Sequence, residues 1–243
     1  MQGSEILKEI TKDLKRLADP EKVPLYKSYF KTGKGDYGEG DEFYGIRVPE
    51  IRKVGAKYAM ISLDEIEQLL ASKMHEERFL ALVILRKQYS KAKSLSEKKT
   101  IYDFYLKHTA GINNWDLVDS SALYIVGFYL LETENVENST PAVLLKLAKS
   151  EDLWSRRIAI LSTFAFIRKQ KFYPSITLST MLLNDKHDLM HKAVGWMLRE
   201  VANRDRSVTE AFLNEHAATM PRTMLRYAIE KFPESLRKQY MKK

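Results

Sequence analysis

The stretch that decides the fold is FLALV at residues 79–83, because three later segments of the chain align with it on a small residue. The four aligned alanines stand 41, 37 and 34 positions apart, and such periods are typical of paired helices that stack as a solenoid. A small residue at the aligned position would let one helix lie close to its neighbour. The alternative is coincidence among alanine-containing helices. The later segments are residues 120–124 (SSALY), 157–161 (RIAIL) and 192–196 (KAVGW).

Helical patterning extends over the rest of the chain. Residues 5–17 place their apolar side chains on one helical face. Ser62 and Ser207, each followed three positions later by a glutamate, have the form of a capping box. Thr140 precedes a proline that would occupy the first helical position. With no hairpin pattern in the sequence, we predict an all-α fold: a HEAT-like helical-repeat solenoid (an α-α superhelix) with a concave basic groove, in a single domain over residues 1–243.

One clearly irregular segment interrupts this pattern. Residues 33–41 (GKGDYGEGD) hold four of the ten glycines, and glycine-rich polar stretches favour turns over helices. The segment lacks the GxxxxGK[ST] spacing of a phosphate-binding loop. We therefore expect a mobile loop there.

Composition narrows the class of protein. Lys and Arg number 40 against 32 Asp and Glu, and the net charge of +8 favours polyanionic partners. The absence of cysteine excludes disulfides, zinc-thiolate sites and cysteine nucleophiles. The longest apolar run, residues 122–131, is shorter than the roughly 18 residues that a membrane span needs, and the charged N-terminus has no signal-peptide pattern. We expect a cytoplasmic protein that does not bind membranes.

The segment that is most informative about a functional site is residues 111–121 (GINNWDLVDSS). Its two asparagines predict a turn, after which a helix begins near Trp115. Trp115 and Asp119 are four positions apart and so share a helical face, whereas Leu117 and Val118 point elsewhere. That face could line either a core or a site. A carboxylate such as Asp119 must be paired if it is buried.

Two later segments offer further candidates, residues 153–160 (LWSRRIAI) and 191–200 (HKAVGWMLRE). Arg157 begins an apolar helix and could pair with Asp119 from the next repeat, although it could equally form an ordinary structural ion pair. Trp196 lies on an apolar helix, where a tryptophan is usually part of the core. Basic residues near the aligned positions are candidates for the concave face, although solvated surface charge is the alternative: Arg78, Arg156, Arg157, Lys192 and Arg199.

These segments together resemble a known family. WDLVD at residues 115–119, WxxRxAI at 154–160 and KAxGWxLRE at 192–200, in this order, are similar to the AlkD family of DNA alkylation repair glycosylases. The similarity extends toward the N-terminus through residues 20–22 with Tyr29, and through residues 44–46 followed by a proline and Arg52. It therefore covers nearly the whole chain.

The resemblance implies a fold and a reaction. Members of the family fold as HEAT-like repeats around double-stranded DNA and excise cationic lesions, including 3-methyladenine and 7-methylguanine. They are thought to do so without extruding the base. The resemblance further implies a monomer that needs neither a metal nor an organic cofactor.

The resemblance also assigns roles to single residues. Trp115 and Trp196 match the two aromatic positions that flank the deoxyribose of the lesion, and Asp119 matches the catalytic carboxylate. Arg157 matches the arginine that supports this carboxylate near the DNA backbone. Tyr29 matches a tyrosine near the active cleft. The basic side chains that we expect to contact DNA are Arg156, Lys192 and Arg199.

The sequence departs from the family pattern at two places. The loop at residues 33–41 is longer than the corresponding connection, and Asn114 stands where some members have a second tryptophan. Both departures put the substrate range in doubt more than the chemistry.

These residue types suit the cleavage of an alkylated nucleoside. Alkylation at N3 or N7 gives the purine a positive charge, so that it leaves as a neutral molecule without a general acid. The sugar left behind develops oxocarbenium character, which an anion and electron-rich rings stabilise in the transition state. Asp119 would supply the anion and orient water, the indoles of Trp115 and Trp196 would supply cation–π attraction, and Arg157 would hold the carboxylate and phosphate.

Other chemistries find less support in the sequence. His187 and His191 have a spacing that can ligate a metal, but no HExxH motif surrounds them, so we expect no metal site. No nucleophile elbow is present. Two other functions stay open: a catalytically silent relative that only binds DNA, and a HEAT-like scaffold for protein interactions.

Overall fold

The computed structural model of the protein describes residues 5–242, and these residues form a chain of helices. Within this range there is no β-strand, and Glu42 and Met74 form an isolated bridge. The prediction of an all-helical fold is confirmed. None of the described helices has the length and apolarity that crossing a membrane requires.

The described residues divide into two compact units, with the boundary between Ser121 and Ala122. A solenoid can divide in this way because each repeat contacts only its neighbours, so a single domain over residues 1–243 stays a prediction. The helices that begin in the N-terminal unit are α1 (Glu5–Leu17), α2 (Val23–Tyr29), α3 (Val48–Lys57), α4 (Leu63–Leu70), α5 (His75–Lys91), α6 (Leu95–Lys107) and α7 (Trp115–Ala122).

The C-terminal unit begins with a π-helical turn, Leu123–Gly127. Its longest helix, Asp188–Ala202, packs against helices on both sides of it in the chain. The helices of this unit are α8 (Phe128–Thr133), α9 (Ala142–Ala148), α10 (Leu153–Ser162), α11 (Phe164–Ile167), α12 (Tyr173–Met181), α13 (Asp188–Ala202), α14 (Arg206–His216), α15 (Arg222–Ala228) and α16 (Glu234–Lys242).

The alanines that align the four sequence segments all lie inside the protein. Ala81 on α5, Ala122 at the end of α7, Ala159 on α10 and Ala193 on α13 each have 0% of their surface exposed. The four small side chains are thus enclosed, and the close approach of a neighbouring helix at each of them stays a prediction. Successive helices pack on one another within each unit, for example α3 and α4 on α5.

The sequence predicts three helix N-termini from capping signals, and the structure agrees with them to different degrees. Ser62 forms both hydrogen bonds of a capping box, as predicted. The prediction for Ser207 is wrong, because Asp205 caps α14 by accepting a hydrogen bond from the Ser207 amide. Aspartate caps as well as serine and adds a favourable charge at the helix N-terminus. The prediction at Thr140 is off by one residue, since α9 begins after the proline that follows it.

Close packing at Gly195 provides a test of the fold. An alanine Cβ there would lie 2.5 Å from the carbonyl oxygen of Met224 on α15. Rotating a side chain could not relieve this clash, because the oxygen belongs to the backbone. We expect Gly195→Ala to lower the free energy of unfolding by roughly 1–3 kcal/mol in urea titrations.

A matched control is Gly55→Ala on α3. There the nearest atom to the added Cβ is a methyl carbon of Val83, at 2.8 Å, which can move. Both variants gain the same helix propensity of about 1 kcal/mol, so Gly55→Ala should be clearly more stable than Gly195→Ala. Equal stabilities would contradict the close contact between α13 and α15.

Candidate functional site

The N-terminal unit contains an open cavity of about 480 Å³ beside α7. Most of its wall is aromatic or aliphatic, and its polar groups include three carboxylates, an arginine and a histidine. The lining residues are Tyr26, Tyr29, Phe30, Phe43, Ile46, Val48, Ile51, Arg52, His75, Glu76, Phe79, Trp115, Asp116, Asp119 and Ser120.

Helix α7 brings Trp115 and Asp119 to this cavity together. Both side chains are half-buried and both line the wall, which confirms that they share a helical face. Leu117 and Val118 have no exposed surface and point into the core, as predicted. The helix begins at Trp115, where the Asn114 side chain accepts a hydrogen bond from the Trp115 amide at 2.8 Å. The face of α7 therefore lines a cavity rather than a closed core.

The indole of Trp115 belongs to an aromatic wall. The Phe30 ring stacks on it with the centroids 5.4 Å apart and the planes at 19°, and the Tyr29 ring meets it edge-on at 5.5 Å. Phe43 stacks in turn on the other side of the cluster, 5.3 Å from Phe30. Because Tyr29 remains 60% exposed, the wall extends from the interior to the surface of the unit.

Beneath the aromatic wall lies a buried network of charges centred on His75. Its Nε2 is 2.8 Å from Asp116 Oδ2, and its Nδ1 is 3.2 Å from Asp41 Oδ2. The other oxygen of Asp41 accepts a hydrogen bond from Arg78 Nη2 at 2.6 Å. Arg78, a candidate for the basic concave face, is thus only 3% exposed and serves inside the unit instead.

The network shifts the pKa values of its members. Burial alone would lower the pKa of His75, but the charge of Asp116 and its hydrogen bonds with Asp116 and Asp41 outweigh burial and raise the pKa to about 9. Burial would likewise raise the pKa of Asp41, yet the hydrogen bond with His75 and the charge of Arg78 bring the pKa below its usual value. His75 is therefore an imidazolium at neutral pH.

The glycine-rich loop at residues 33–41 ends in this network. It consists of turns, and Gly38 comes so close to the C-terminal end of α2 that a Cβ there would lie 2.5 Å from the carbonyl oxygen of Phe30, the residue that follows this helix. The loop delivers Asp41, which also accepts a hydrogen bond from the Asn114 side-chain amide at 3.2 Å. Asn114 therefore links the loop to the start of α7.

Glu76 shapes the other side of the cavity. Its carboxylate accepts hydrogen bonds from the backbone amides of Tyr44, Gly45 and Ile46, at 3.1, 2.8 and 3.1 Å. Gly45 adopts a φ of +84°, which suits glycine. This carboxylate holds the segment that precedes α3, on which Arg52 stands at the rim of the cavity.

The other residues of the predicted catalytic set lie in the C-terminal unit. Arg157 on α10 is buried and donates from Nη1 to the Leu189 carbonyl oxygen at 2.6 Å. Trp196 on α13 is half-buried, so it is not fully enclosed in the core. Its indole N–H donates to Glu200 at 3.3 Å, and its ring meets Phe164 edge-on.

The predicted DNA-contacting cations of the C-terminal unit each have an acidic partner. Arg156 binds Asp185 through Nε at 2.6 Å, with two backbone carbonyls accepting from the same guanidinium. Lys192 pairs with Asp188 at 2.7 Å, and Arg199 pairs with Glu230. Their contacts with DNA stay a prediction.

The two histidines with metal-like spacing have structural roles at the start of α13. His187 accepts a hydrogen bond from the Leu189 amide as the N-cap, and His191 bonds to the Asp185 carbonyl oxygen. Over residues 5–242, no group of three or more His, Asp and Glu side chains is arranged to hold a metal ion.

Comparison with known proteins identifies the family. A model of the family described as DNA alkylation repair enzyme matches residues 10–232. The chain belongs to this family. A solved structure described as a predicted DNA alkylation repair enzyme from Enterococcus faecalis is similar in fold, with a TM-score of 0.70 and 18% identity. The match covers 89% of this chain and 97% of that chain. No curated protein matches the sequence.

Several residues at or beneath the cavity of this family member were not found from sequence. His75 lies 34 positions from Asp41 and 41 positions from Asp116, and no local spacing indicates that the three meet. The sequence analysis did not single out Phe30 or Phe43, which are both buried. One available signal was Asp116, a carboxylate in the first turn of α7 beside Trp115.

The raised pKa of His75 predicts an unusual pH dependence of stability. A group with a higher pKa in the folded state stabilises the fold fully below its unfolded pKa, near 6.5, and loses this effect as pH rises through the folded pKa, about 9. We expect the free energy of unfolding to fall by on the order of 3 kcal/mol across this range, since one pKa unit is about 1.4 kcal/mol.

Urea unfolding at constant ionic strength measures this loss. His75→Gln cannot titrate, so its curve of stability against pH should be flatter than that of the native protein over the same interval. Parallel curves for the two proteins would show that His75 does not carry this charge in the folded state.

Proposed function

We propose that this chain is a DNA glycosylase that hydrolyses the N-glycosidic bond of cationic alkylated purines in duplex DNA, 3-methyladenine and 7-methylguanine among them. The observation that carries the proposal is the placing of Trp115 and Asp119 side by side at an open, aromatic-walled cavity, in a member of the DNA alkylation repair family. This proposal places the chain in base excision repair.

Cleavage of the N-glycosidic bond requires that the sugar be stabilised as it becomes positively charged. The alkylated base already carries a positive charge and departs as a neutral molecule. The group that needs stabilisation is therefore the oxocarbenium ion that remains on the sugar. Asp119, half-buried against apolar walls, would act in a medium of lower dielectric than water, where an anion stabilises the developing cation more strongly. Its carboxylate would also orient the water that attacks the sugar. Only water is needed as a co-reactant, and the proposal includes no cofactor.

The indole of Trp115 supports the same transition state. Its face lies in a wall with Phe30 and Tyr29, and electron-rich ring faces attract a cation by up to about 2 kcal/mol when water is excluded. Edge-on and stacked neighbours leave this ring few other orientations. For Arg157 and Trp196, the supporting and aromatic roles that the family resemblance implies are part of the proposal.

Replacing the carboxylate tests the chemistry. We expect Asp119→Asn to slow release of 7-methylguanine from methylated duplex DNA by roughly 100- to 1,000-fold, because a neutral amide cannot balance the developing charge. Single-turnover assays with enzyme in excess measure this rate, and a filter-binding assay on the same DNA should show nearly unchanged affinity.

The matched control is Asp103→Asn on α6, an exposed carboxylate that pairs with Lys99. This variant should release base at the native rate. Native-like release by Asp119→Asn would remove Asp119 from the mechanism. DNA binding by the native protein without any release would instead identify a catalytically silent relative.

Arg52 is the cation that we propose to contact a DNA phosphate at the rim of the cavity. It is exposed, it lines the cavity, and none of the carboxylates in the described part of the chain forms an ion pair with it. A guanidinium in this setting can bind phosphate bidentately without first leaving another anion. The predicted contacts of Tyr29, Arg156, Lys192 and Arg199 complete the proposed DNA-binding set.

Salt dependence tests this contact and the rival scaffold function together. Affinity for duplex DNA should fall steeply as salt rises, and Arg52→Ala should reduce the slope of log K against log salt by about one. Lys53→Ala is the control, because Lys53 is the adjacent cation and already pairs with Glu50 at 3.0 Å. Absence of salt-dependent binding in the native protein would favour a protein-interaction scaffold.

A further inference from the structure

We propose that His75 is a positioning residue, which as an imidazolium ties the first turn of α7 to the end of the glycine-rich loop and so fixes Trp115 and Asp119 at the cavity. The geometry of the contacts carries this inference. Its catalytic part rests on the proposed glycosylase function, whereas its structural part can be tested without any reaction.

The contacts require a doubly protonated ring. Both nitrogens of His75 face carboxylate oxygens, Nε2 toward Asp116 at 2.8 Å and Nδ1 toward Asp41 at 3.2 Å. An ionised carboxylate only accepts hydrogen bonds, so each nitrogen must donate. In a neutral ring one nitrogen would present its lone pair to an anion, and that contact would become repulsive.

Asp116 connects His75 to the first turn of α7, the helix that carries Trp115 and Asp119. Its second oxygen, Oδ1, accepts a hydrogen bond from the Leu117 amide at 2.8 Å. One carboxylate therefore holds both the imidazolium and the first turn of α7. Trp115 precedes Asp116 directly, and Asp119 lies less than one helical turn beyond it. A shift of the first turn would move both residues that line the cavity.

The ring of His75 also supports the aromatic wall from behind. Its centroid lies 4.5 Å from that of Phe30 and 5.0 Å from that of Phe43. Phe30 then stacks on Trp115. A cation against the ring faces adds electrostatic attraction, so the same imidazolium supports Trp115 through Phe30 and Asp119 through Asp116.

The charges that face His75 come from three elements. Asp41 reaches it from the loop and Asp116 from α7, while Arg78 on its own helix binds the far oxygen of Asp41. Glu76, the next residue on α5, directs its carboxylate to backbone amides. Asp119 and Arg52 line the same cavity. Two anions and two cations thus form a balanced buried cluster, which depends on the proton of His75.

This arrangement assigns a role to the glycine-rich loop at residues 33–41. The loop presents Asp41, one of the two anions that keep His75 charged, and its turns let Gly38 pass close to α2. The loop would therefore act on the catalytic helix through a buried ion pair rather than through contact with DNA.

The experiment follows the Trp115 indole by NMR while pH is raised. In ¹⁵N-labelled native protein, the imidazole nitrogens of His75, assigned by loss in His75→Gln, should titrate with a midpoint near 9. The Trp115 indole resonance, assigned with Trp115→Phe, should shift with the same midpoint. In His75→Gln this transition of the indole should disappear.

Two amide variants separate positioning from bulk stability. The side-chain amide introduced by His75→Gln can take the place of Nε2 and donate to Asp116, whereas the shorter side chain of His75→Asn reaches only toward Asp41. At neutral pH we expect His75→Gln to release 7-methylguanine about tenfold faster than His75→Asn, with similar KM for the two. A difference of tenfold corresponds to about 1.4 kcal/mol in the barrier.

Either of two results would overturn the proposal: a Trp115 indole that does not respond as His75 titrates, or equal release by the two amide variants and the native protein. If the native protein releases no base, the proposed function fails, and the indole titration still decides whether His75 positions α7. If the variants fail to fold, the His75 and Trp115 resonances can be assigned through bonds in the labelled native protein, and its titration gives the same decision.

Discussion

The structure of the N-terminal unit depends on burying charge without leaving any of it unbalanced. Removing an ion from water costs several kcal/mol, and only close partners with additional hydrogen bonds recover that cost. Asp41, His75, Arg78 and Asp116 meet this condition as an alternating row of anions and cations. The row joins a loop, the N-terminal end of α5 and the first turn of α7. Removing one member would leave an uncompensated charge beneath the cavity.

The cavity above this row combines apolar walls with a few charged groups. Aromatic rings exclude water and present their faces, while Asp119 places one negative charge among them. This is the setting in which electrostatic stabilisation of a cation is strongest, because the dielectric is low and the groups are already oriented. We propose that the cleavage of a cationic alkylated nucleoside profits from such a setting; the family match shows a DNA alkylation repair enzyme family.

Some of the basic side chains are buried or bound to other groups of the protein, whereas others are exposed to solvent. Arg78 and Arg157 are buried, and Arg156 is engaged with Asp185 and backbone carbonyls. Net charge alone therefore overstates the number of cations that are ready to bind phosphate. Exposed cations such as Arg52 are better candidates, since binding DNA would not require them to break an ion pair first.

The sequence by itself determined the helical class, the burial of the four aligned alanines, the start of α7 and the common face of Trp115 and Asp119. These features depend on residues within one or two helical turns, where spacing and capping chemistry act directly. It did not indicate that His75 lies between Asp41 and Asp116, nor that Arg78 is inside the unit rather than on its surface. Those pairings join positions more than thirty residues apart, and only the packing of α5, α7 and the loop decides which charges meet. Local patterns specify helices, whereas the partners of a buried charge are specified by the tertiary fold that makes its burial tolerable.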